Sequence, residues 1–301
     1  MISNKSTFRF SGHDTFSCKE QWILRGLQLV ENEIDTSVFK ETYAISKLGV
    51  GKNMVRAIHY WLRAFGMLND TEKITDIAKT LFVEEEWDKY LESEGSLWLL
   101  QYFLCKTGYA SIFKLIFNDY FSDKATLEFS EFQVLNFINR ELSKNGQSKV
   151  SENTLISDFK VFIRTYVSPT KNIKTIEDDF SVPLLGLSLI SDTGRKNDRN
   201  QSIYRLNKGM QKSISPEIFG FCLLDHFELE KAINYDNIMN TLGSYLCFSN
   251  DGLDDMIERL CDTYKNHFSY KSDAGTRQIQ IKNVKKEFKT ILLQKHYEIQ
   301  Q

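Results

Sequence analysis

Only three of the 301 residues are proline, and no other single feature constrains the fold as much. Proline interrupts helices and central strands, and a many-turned β-sandwich needs far more such punctuation. The chain is therefore expected to be mainly α. Its apolar residues, 42% of the total, supply enough core for a globular protein, and the length allows several packed lobes.

Helical periodicity organises the first third. In "SCKEQWILRGLQLVEN", Ser17 stands as an N-cap with Glu20 three residues on, a capping-box pattern. Trp22, Ile23, Gly26, Leu27 and Val30 then form an apolar stripe. A second helix is read in "SVFKETYAISKL" and a third in "LGVGKNMVRAIHYWLRAFGML", residues 48–68. "GMLNDTEKITDIAKTLF" follows as strand, polar turn, strand and a short helix begun at Thr75 or Asp76. Three helices and a hairpin in that order describe a winged helix-turn-helix.

Beyond it, the acidic "VEEEWDKYLESEG" reads as a solvated helix, and "SLWLLQYFLCKTGYASIFKLIFNDYF" as a central buried helix pair. "SEFQVLNFINRELSKNG" and "SENTLISDFKVFIRTYV" continue the helical pattern, with Gly146 as a C-cap between them. Residues 168–180 look like a linker. In "VPLLGLSLISDTGRKNDRNQSIYRLNKG" two apolar runs flank a polar loop carrying Arg195, Lys196 and Arg199, a long hairpin with a basic, wing-like tip. From Tyr235 onward two or three helices precede a hairpin whose turn is "KSDAGTRQ", so the order helix, helix, hairpin recurs. The expected architecture is an N-terminal winged helix-turn-helix domain (1–83), a helical middle domain (84–175) and a C-terminal helical domain with wing-like hairpins (176–301).

The glycines of "LGVGKN" raise the question of phosphate binding. A P-loop needs a first glycine where Ser46 stands and a hydroxyl where Asn53 stands, and a dinucleotide fingerprint needs a glycine at Met54 and a preceding strand. Both fail, and no cofactor is expected. The helix-turn-helix reading fits better: Ala44 is small where helices cross, and Gly49 can take the positive φ of a sharp turn. On a helical wheel Met54, Val55, Ile58, Trp61, Leu62 and Phe65 fall on one side; Lys52, Asn53, Arg56, His59, Tyr60 and Arg63 fall on the other. The second face carries no carboxylate, and Lys47 adds a cation beside the turn. Such side chains suit phosphate and base-edge contacts, so these residues, with Arg195, Lys196 and Arg199, are the candidate DNA contacts. A net charge of −2 excludes a uniformly basic coat but not a local basic face.

Other chemistry is sparse. Gly12, His13 and Asp14, in "FSGHDTF" just before the first helix, could form an anion site, although simple bracing of the helix is the plainer reading. Asp251, Asp254 and Asp255 lack calcium-loop spacing, and the lysines at 282, 285, 286, 289 and 295 divide evenly between a phosphate contact and a solvated face. Five scattered cysteines, none in CxxC spacing, suggest neither zinc nor disulfides but a reduced cytoplasmic protein. No apolar run approaches a membrane span and the first residues lack a signal-peptide core.

The stretches "FSGHDTF", "LGVGKNMVRAIHYWL", "SLWLLQYFL", "DFKVFIRTYV", "PLLGLSLI" and "DAGTRQIQI" resemble the bacterial family called domain of unknown function 4007, along almost the whole chain. The resemblance implies an accessory protein of phage-defence loci, often beside genes for DNA sulfur modification (phosphorothioation). The expected function is non-enzymatic binding of duplex DNA, with protein partners from the same system. A homodimer would be natural for a helix-turn-helix protein, though no coiled-coil heptads enforce one. The alternatives are a scaffold whose winged lobes dock partner enzymes, and a nuclease centred on His13 and Asp14, which the scarcity of carboxylates at metal spacing disfavours.

Overall fold

Gly49 adopts φ 65° at the end of one helix and Gly51 an extended conformation at the start of the next, so three residues turn the chain sharply from α2 (Glu41–Leu48) into α3 (Lys52–Ala64). The computed structural model describes residues 7–32, 38–122, 124–168, 181–228, 230–273 and 275–300; the expected linker, apart from Ser168, lies outside them. In front of α2, α1 (Glu20–Glu31) crosses α3 at Gly26, where a Cβ would come within 2.7 Å of Leu62 and 2.8 Å of Ile58. Val55, Ile58, Trp61 and Leu62 of α3 are buried beneath this crossing. The hairpin that follows is reduced to one antiparallel bridge, Leu68 to Ile74. Then comes the short α4 (Asp76–Ala78), which runs into a π-helical turn, Lys79–Val83.

Two local expectations change. The capping box at Ser17 does not form: α1 starts at Glu20 with Lys19 as an uncapped N-cap. The Glu20 amide instead donates to the Ser181 carbonyl at 2.8 Å, so a distant segment satisfies the helix end. The acidic stretch after residue 83 is not a helix but a series of turns. Asp88 is buried there and its carboxylate accepts the amides of Glu92 and Ser93 at 2.8 and 3.0 Å, a local bonding pattern that competes with helix continuation. Ser93 then caps α5 (Glu94–Thr107) by accepting from the Gly95 amide.

α5 is apolar on all sides and buried, with Trp98, Leu99, Leu100, Tyr102 and Leu104 inside, as a central helix must be. Its one awkward polar group, Gln101, is satisfied: it donates to the Tyr245 carbonyl (2.9 Å) and accepts from the Tyr166 hydroxyl (2.6 Å). α6 (Ser111–Lys114) continues as a π-helical turn, Leu115–Tyr120, and completes the buried pair.

Two three-stranded antiparallel sheets share one topology. β1 (Glu128–Phe129), α7 (Glu131–Lys144), α8 (Glu152–Tyr166), β2 (Ile190–Lys196) and β3 (Ser202–Leu206) form the first unit, with spatial order β1-β3-β2. β4 (Ala232–Asn234), α10 (Tyr235–Ile238, extended by a π-helical turn to Gly243), α11 (Asn250–Thr263), β5 (Phe268–Asp273) and β6 (Thr276–Ile281) form the second, with order β4-β6-β5. Each is preceded by a helix, α6 in the first and α9 (Pro216–His226) in the second. Gly146 takes φ 71° after α7, as a C-capping glycine does. The pairing of Phe129 with Tyr204 spans the boundary expected at 175–176.

The last helix, α12 (Phe288–Gln300), packs on α9 and ties the end of the chain to the core. His296 bridges the N-caps of two helices, 3.2 Å from Ser93 Oγ and 2.9 Å from Ser215 Oγ. Asp225 accepts from Lys106 (2.6 Å), Lys289 (3.0 Å) and Tyr102 (2.9 Å). Burial alone would raise its carboxyl, but the two lysines hold it below its ordinary range. The fold is mainly α, and among the described residues no helix is long and apolar enough to cross a membrane.

Candidate nucleic-acid interface

The polar face of α3 divides along its length. At the N-terminal end Lys52, Asn53 and Arg56 are exposed, and Lys47 is exposed at the end of α2, its ammonium 5.6 Å from the Tyr43 ring. Arg56 donates to Asp14 at 2.7 and 3.3 Å and to Asn53 Oδ1 at 2.9 Å. At the C-terminal end the basic side chains are tied inward. Arg63 donates to the Asn69 carbonyl, to Asp70 and to Glu72, each at 2.7 Å. His59 lies 2.6 Å from Glu72 and stacks on Phe39, ring centroids 4.5 Å apart. The helix carries no carboxylate of its own on this face, but the 69–72 turn and the Asp14 loop supply three.

Tyr60 departs from the wheel: it is buried, 4% exposed, and its hydroxyl has no hydrogen-bond partner among the described residues. Burial pushes its phenol pKa well up, with the Asp158 carboxylate adding to the effect. The wheel placed it on the open side because the wheel cannot know that the Ser11–Thr15 loop folds over it. Gly12 explains the fit. At φ 102° it rests on the Tyr60 ring, and a Cβ there would lie 2.7 Å from Tyr60 Cδ2.

The same loop is held from its other side by α8. His13 is buried, and its Nε2 lies 3.0 Å from Asp158 Oδ1. The Thr15 amide donates to His13 Nδ1 at 3.1 Å, which places the proton on Nε2 and makes that nitrogen the donor to Asp158. Both Asp158 oxygens also accept the Ser11 amide, at 2.9 and 3.1 Å, and Arg164 donates to the Thr15 carbonyl. Ser11, Asp14 and Thr15 all have positive φ (67°, 44° and 67°), an unfavourable backbone for non-glycine residues that persists only where its surroundings enforce it.

Two clefts meet along this loop. One, of 480 Å³, is lined by Ser11–Thr15, Arg56 and the α8 residues Asn153, Thr154 and Ser157. The other, of 630 Å³, shares Thr15, Asn153 and Ser157 and runs on past Lys160 and Arg164 to Tyr204 on β3. Sequence reasoning missed the α8 contribution. Its signal was a stripe at helical spacing, Asn153, Ser157, Lys160 and Arg164. Asp158, the partner of His13, carried no comparable signal.

The basic hairpin tip forms where expected, at the β2–β3 turn. Arg195 pairs with Glu128 on β1, Lys196 donates to Asn200 at 3.0 Å, and the Arg199 guanidinium sits 3.7 Å over the exposed Phe132 ring. Among the described residues, no group of three or more His, Cys, Asp or Glu side chains is placed to hold a metal ion. The cysteines described are free thiols. Burial raises the pKa of each, to about 12 for Cys247 and about 11 for Cys261, so they are poor nucleophiles.

Two solved structures, the SspB crystal structure and the magnesium-ion-bound SspB crystal structure, resemble the chain. Each superposes with a TM-score of 0.81 over 97% of this chain and 88% of theirs, at 22% identity. At that identity the likeness establishes a shared fold. No curated protein matches the chain. The family model of DUF4007, described as a protein of unknown function, matches residues 10–297. That span takes in the loop, both clefts and the two sheets, and the chain belongs to the DUF4007 family.

Proposed function

We propose that the protein binds duplex DNA, without catalysing a reaction, through a winged helix-turn-helix made by α2, α3 and the Leu68–Ile74 hairpin. The observation that carries this reading is the placement of Lys47, Lys52, Asn53 and Arg56 around the turn and the first half of α3, all exposed. Residues at the start of a recognition helix are those that reach base edges in the major groove. Arg63 and His59, bonded to the 69–72 turn, stiffen the helix end, and Tyr60 supports the loop above it. Arg195, Lys196 and Arg199 on the β2–β3 hairpin add phosphate contacts. The family resemblance supports a cytoplasmic accessory role in a phage-defence or DNA phosphorothioation system.

Fluorescence-anisotropy titration with duplex DNA, with and without phosphorothioate linkages and at two salt concentrations, tests the reading. Arg56→Ala and Lys52→Ala are expected to weaken binding, each lowering the salt slope by about 0.9 for every phosphate it no longer neutralises. An unchanged slope in both variants would count against it.

A second reading, docking of a partner protein, is supported by α11. Measured from the N-caps Ser151 and Ser249, the α8 stripe Asn153, Ser157, Lys160 and Arg164 occupies the same positions as Asp251, Asp255, Glu258 and Asp262 of α11. The first stripe is polar and basic, the second wholly acidic. An acidic face repels the DNA backbone, so the C-terminal unit is better suited to a protein partner.

A further inference from the structure

We infer that the double cleft between the Ser11–Thr15 loop and α8 seats one unpaired nucleotide, its phosphate against the loop and its base over the floor beside Tyr204. The inference deepens the DNA-binding reading, and part of it rests there. The two compartments share Thr15, Asn153 and Ser157 and so form one groove, with volumes of 480 and 630 Å³ that lie within the roughly 300–1,000 Å³ of small-ligand sites.

Their linings differ in kind. The first compartment offers the Thr154 hydroxyl and the exposed Arg56 guanidinium beside the Asp14 carboxylate that holds it, and a phosphodiester seated there takes the place of Asp14 on the guanidinium. The second has an apolar floor of Ile156, Phe159 and Ile163 with the half-buried Tyr204, rimmed by Lys160, Arg164 and the Glu131 carboxylate. Tyr204 is fixed by its neighbours, its ring 5.8 Å from Phe129 and 6.1 Å from Phe159. A fixed aromatic beside cations is what a base stacks on, and such stacking tolerates any base because each has a π-face. A base paired within a duplex presents only its edge, so this floor is reached by a base that is extruded or already single-stranded.

The geometry of the loop supports the same conclusion. Three non-glycine residues in five hold positive φ, and the strain is sustained from both sides, by Tyr60 beneath Gly12 and by Asp158 and Arg164 from α8. The loop thus joins α3 to α8, so a strand lying along α3 meets the groove at Arg56. The acidic stripe of α11 shows that the polar and basic α8 stripe is not a requirement of the shared topology.

The test uses the full chain with 2-aminopurine placed once in a ten-residue single strand, in a matched duplex, and as a single-base bulge in that duplex. A seated nucleotide is expected to change the fluorescence of the single-stranded and bulged probes. The bulge should bind at least tenfold more tightly than the matched duplex. Tyr204→Ala and Ser157→Trp, the second filling the groove from a partly exposed site, should each remove the fluorescence change and the tenfold preference, and Tyr204→Phe should keep both. Matched and bulged duplexes of equal affinity, with no fluorescence change in either unpaired probe, would overturn the nucleotide seat and leave the duplex reading standing. A response from the single strand without matched-duplex binding would do the reverse.

Discussion

His13 Nε2 donates to Asp158 Oδ1 at 3.0 Å across 145 positions of sequence, and both side chains are buried. Asp158 also accepts the Ser11 amide, so one carboxylate holds two points of the loop. Removing it leaves a buried imidazole N–H without an acceptor, which costs about 1–3 kcal/mol, and releases the amide of the exposed Ser11. Asp158→Ala is expected to lower stability by about 2 kcal/mol, read as a shift in urea midpoint at unchanged m-value. Asp158→Asn, which keeps one acceptor oxygen, should cost less. Equal losses in the two variants would show that the acceptor is not what matters.

Tyr60 and Gly12 make an opposed pair. Tyr60→Phe removes a buried hydroxyl that has no partner among the described residues, so stability should hold or rise by about 1 kcal/mol, with DNA affinity unchanged. Gly12→Ala puts a methyl 2.7 Å from the Tyr60 ring in a residue at φ 102°, and a loss of about 1–3 kcal/mol is expected. Thermal melts of both variants check this. A destabilised Tyr60→Phe would reveal a bond to the hydroxyl.

Arg56 and Arg63 stand two turns apart on α3 and should behave differently. Arg63 bonds a backbone carbonyl and two carboxylates of the 69–72 turn, and its side chain is mostly buried. Arg63→Ala should cost about 1–2 kcal/mol of stability and alter the salt dependence of DNA binding little. Arg56→Ala should do the opposite. A larger salt effect from Arg63 than from Arg56 would mean that the inward pairs open on binding.

His296 gives the protein an acid-sensitive joint. Burial holds its pKa below the ordinary 6.5, although Glu217 and Asp88 favour the charged form. The unfolded chain therefore takes up the proton first. The stability this histidine contributes is complete above about pH 6.5 and declines as pH falls from there through the lower folded value. His226 is shifted the same way, again mainly by burial. Melting temperatures measured from pH 7.5 to 5.5 should fall, and His296→Gln should flatten part of that slope. An identical slope in the variant would assign the acid sensitivity elsewhere.

Much of the fold was legible because it is local. Gly49 announces a left-handed turn, the α3 apolar residues recur at helical spacing, and the all-round apolar α5 could only be central. The basic hairpin at Arg195–Arg199 and the recurrence of helix, helix, hairpin were equally readable, since strand, turn and helix signals act over a few residues.

Tertiary structure decided the rest, because burial and pairing depend on what arrives from elsewhere in the chain. Ser17 does not cap the first helix, which starts at Glu20 with its amide on the Ser181 carbonyl. The carboxylate-free face of α3 acquires Asp14, Asp70 and Glu72, and Tyr60 passes from the open side of a wheel to the underside of a loop. Above all, Asp158 gains its meaning only when α8 is laid against His13. Periodicity determines which residues share a face of a helix; only the packed fold determines what that face meets.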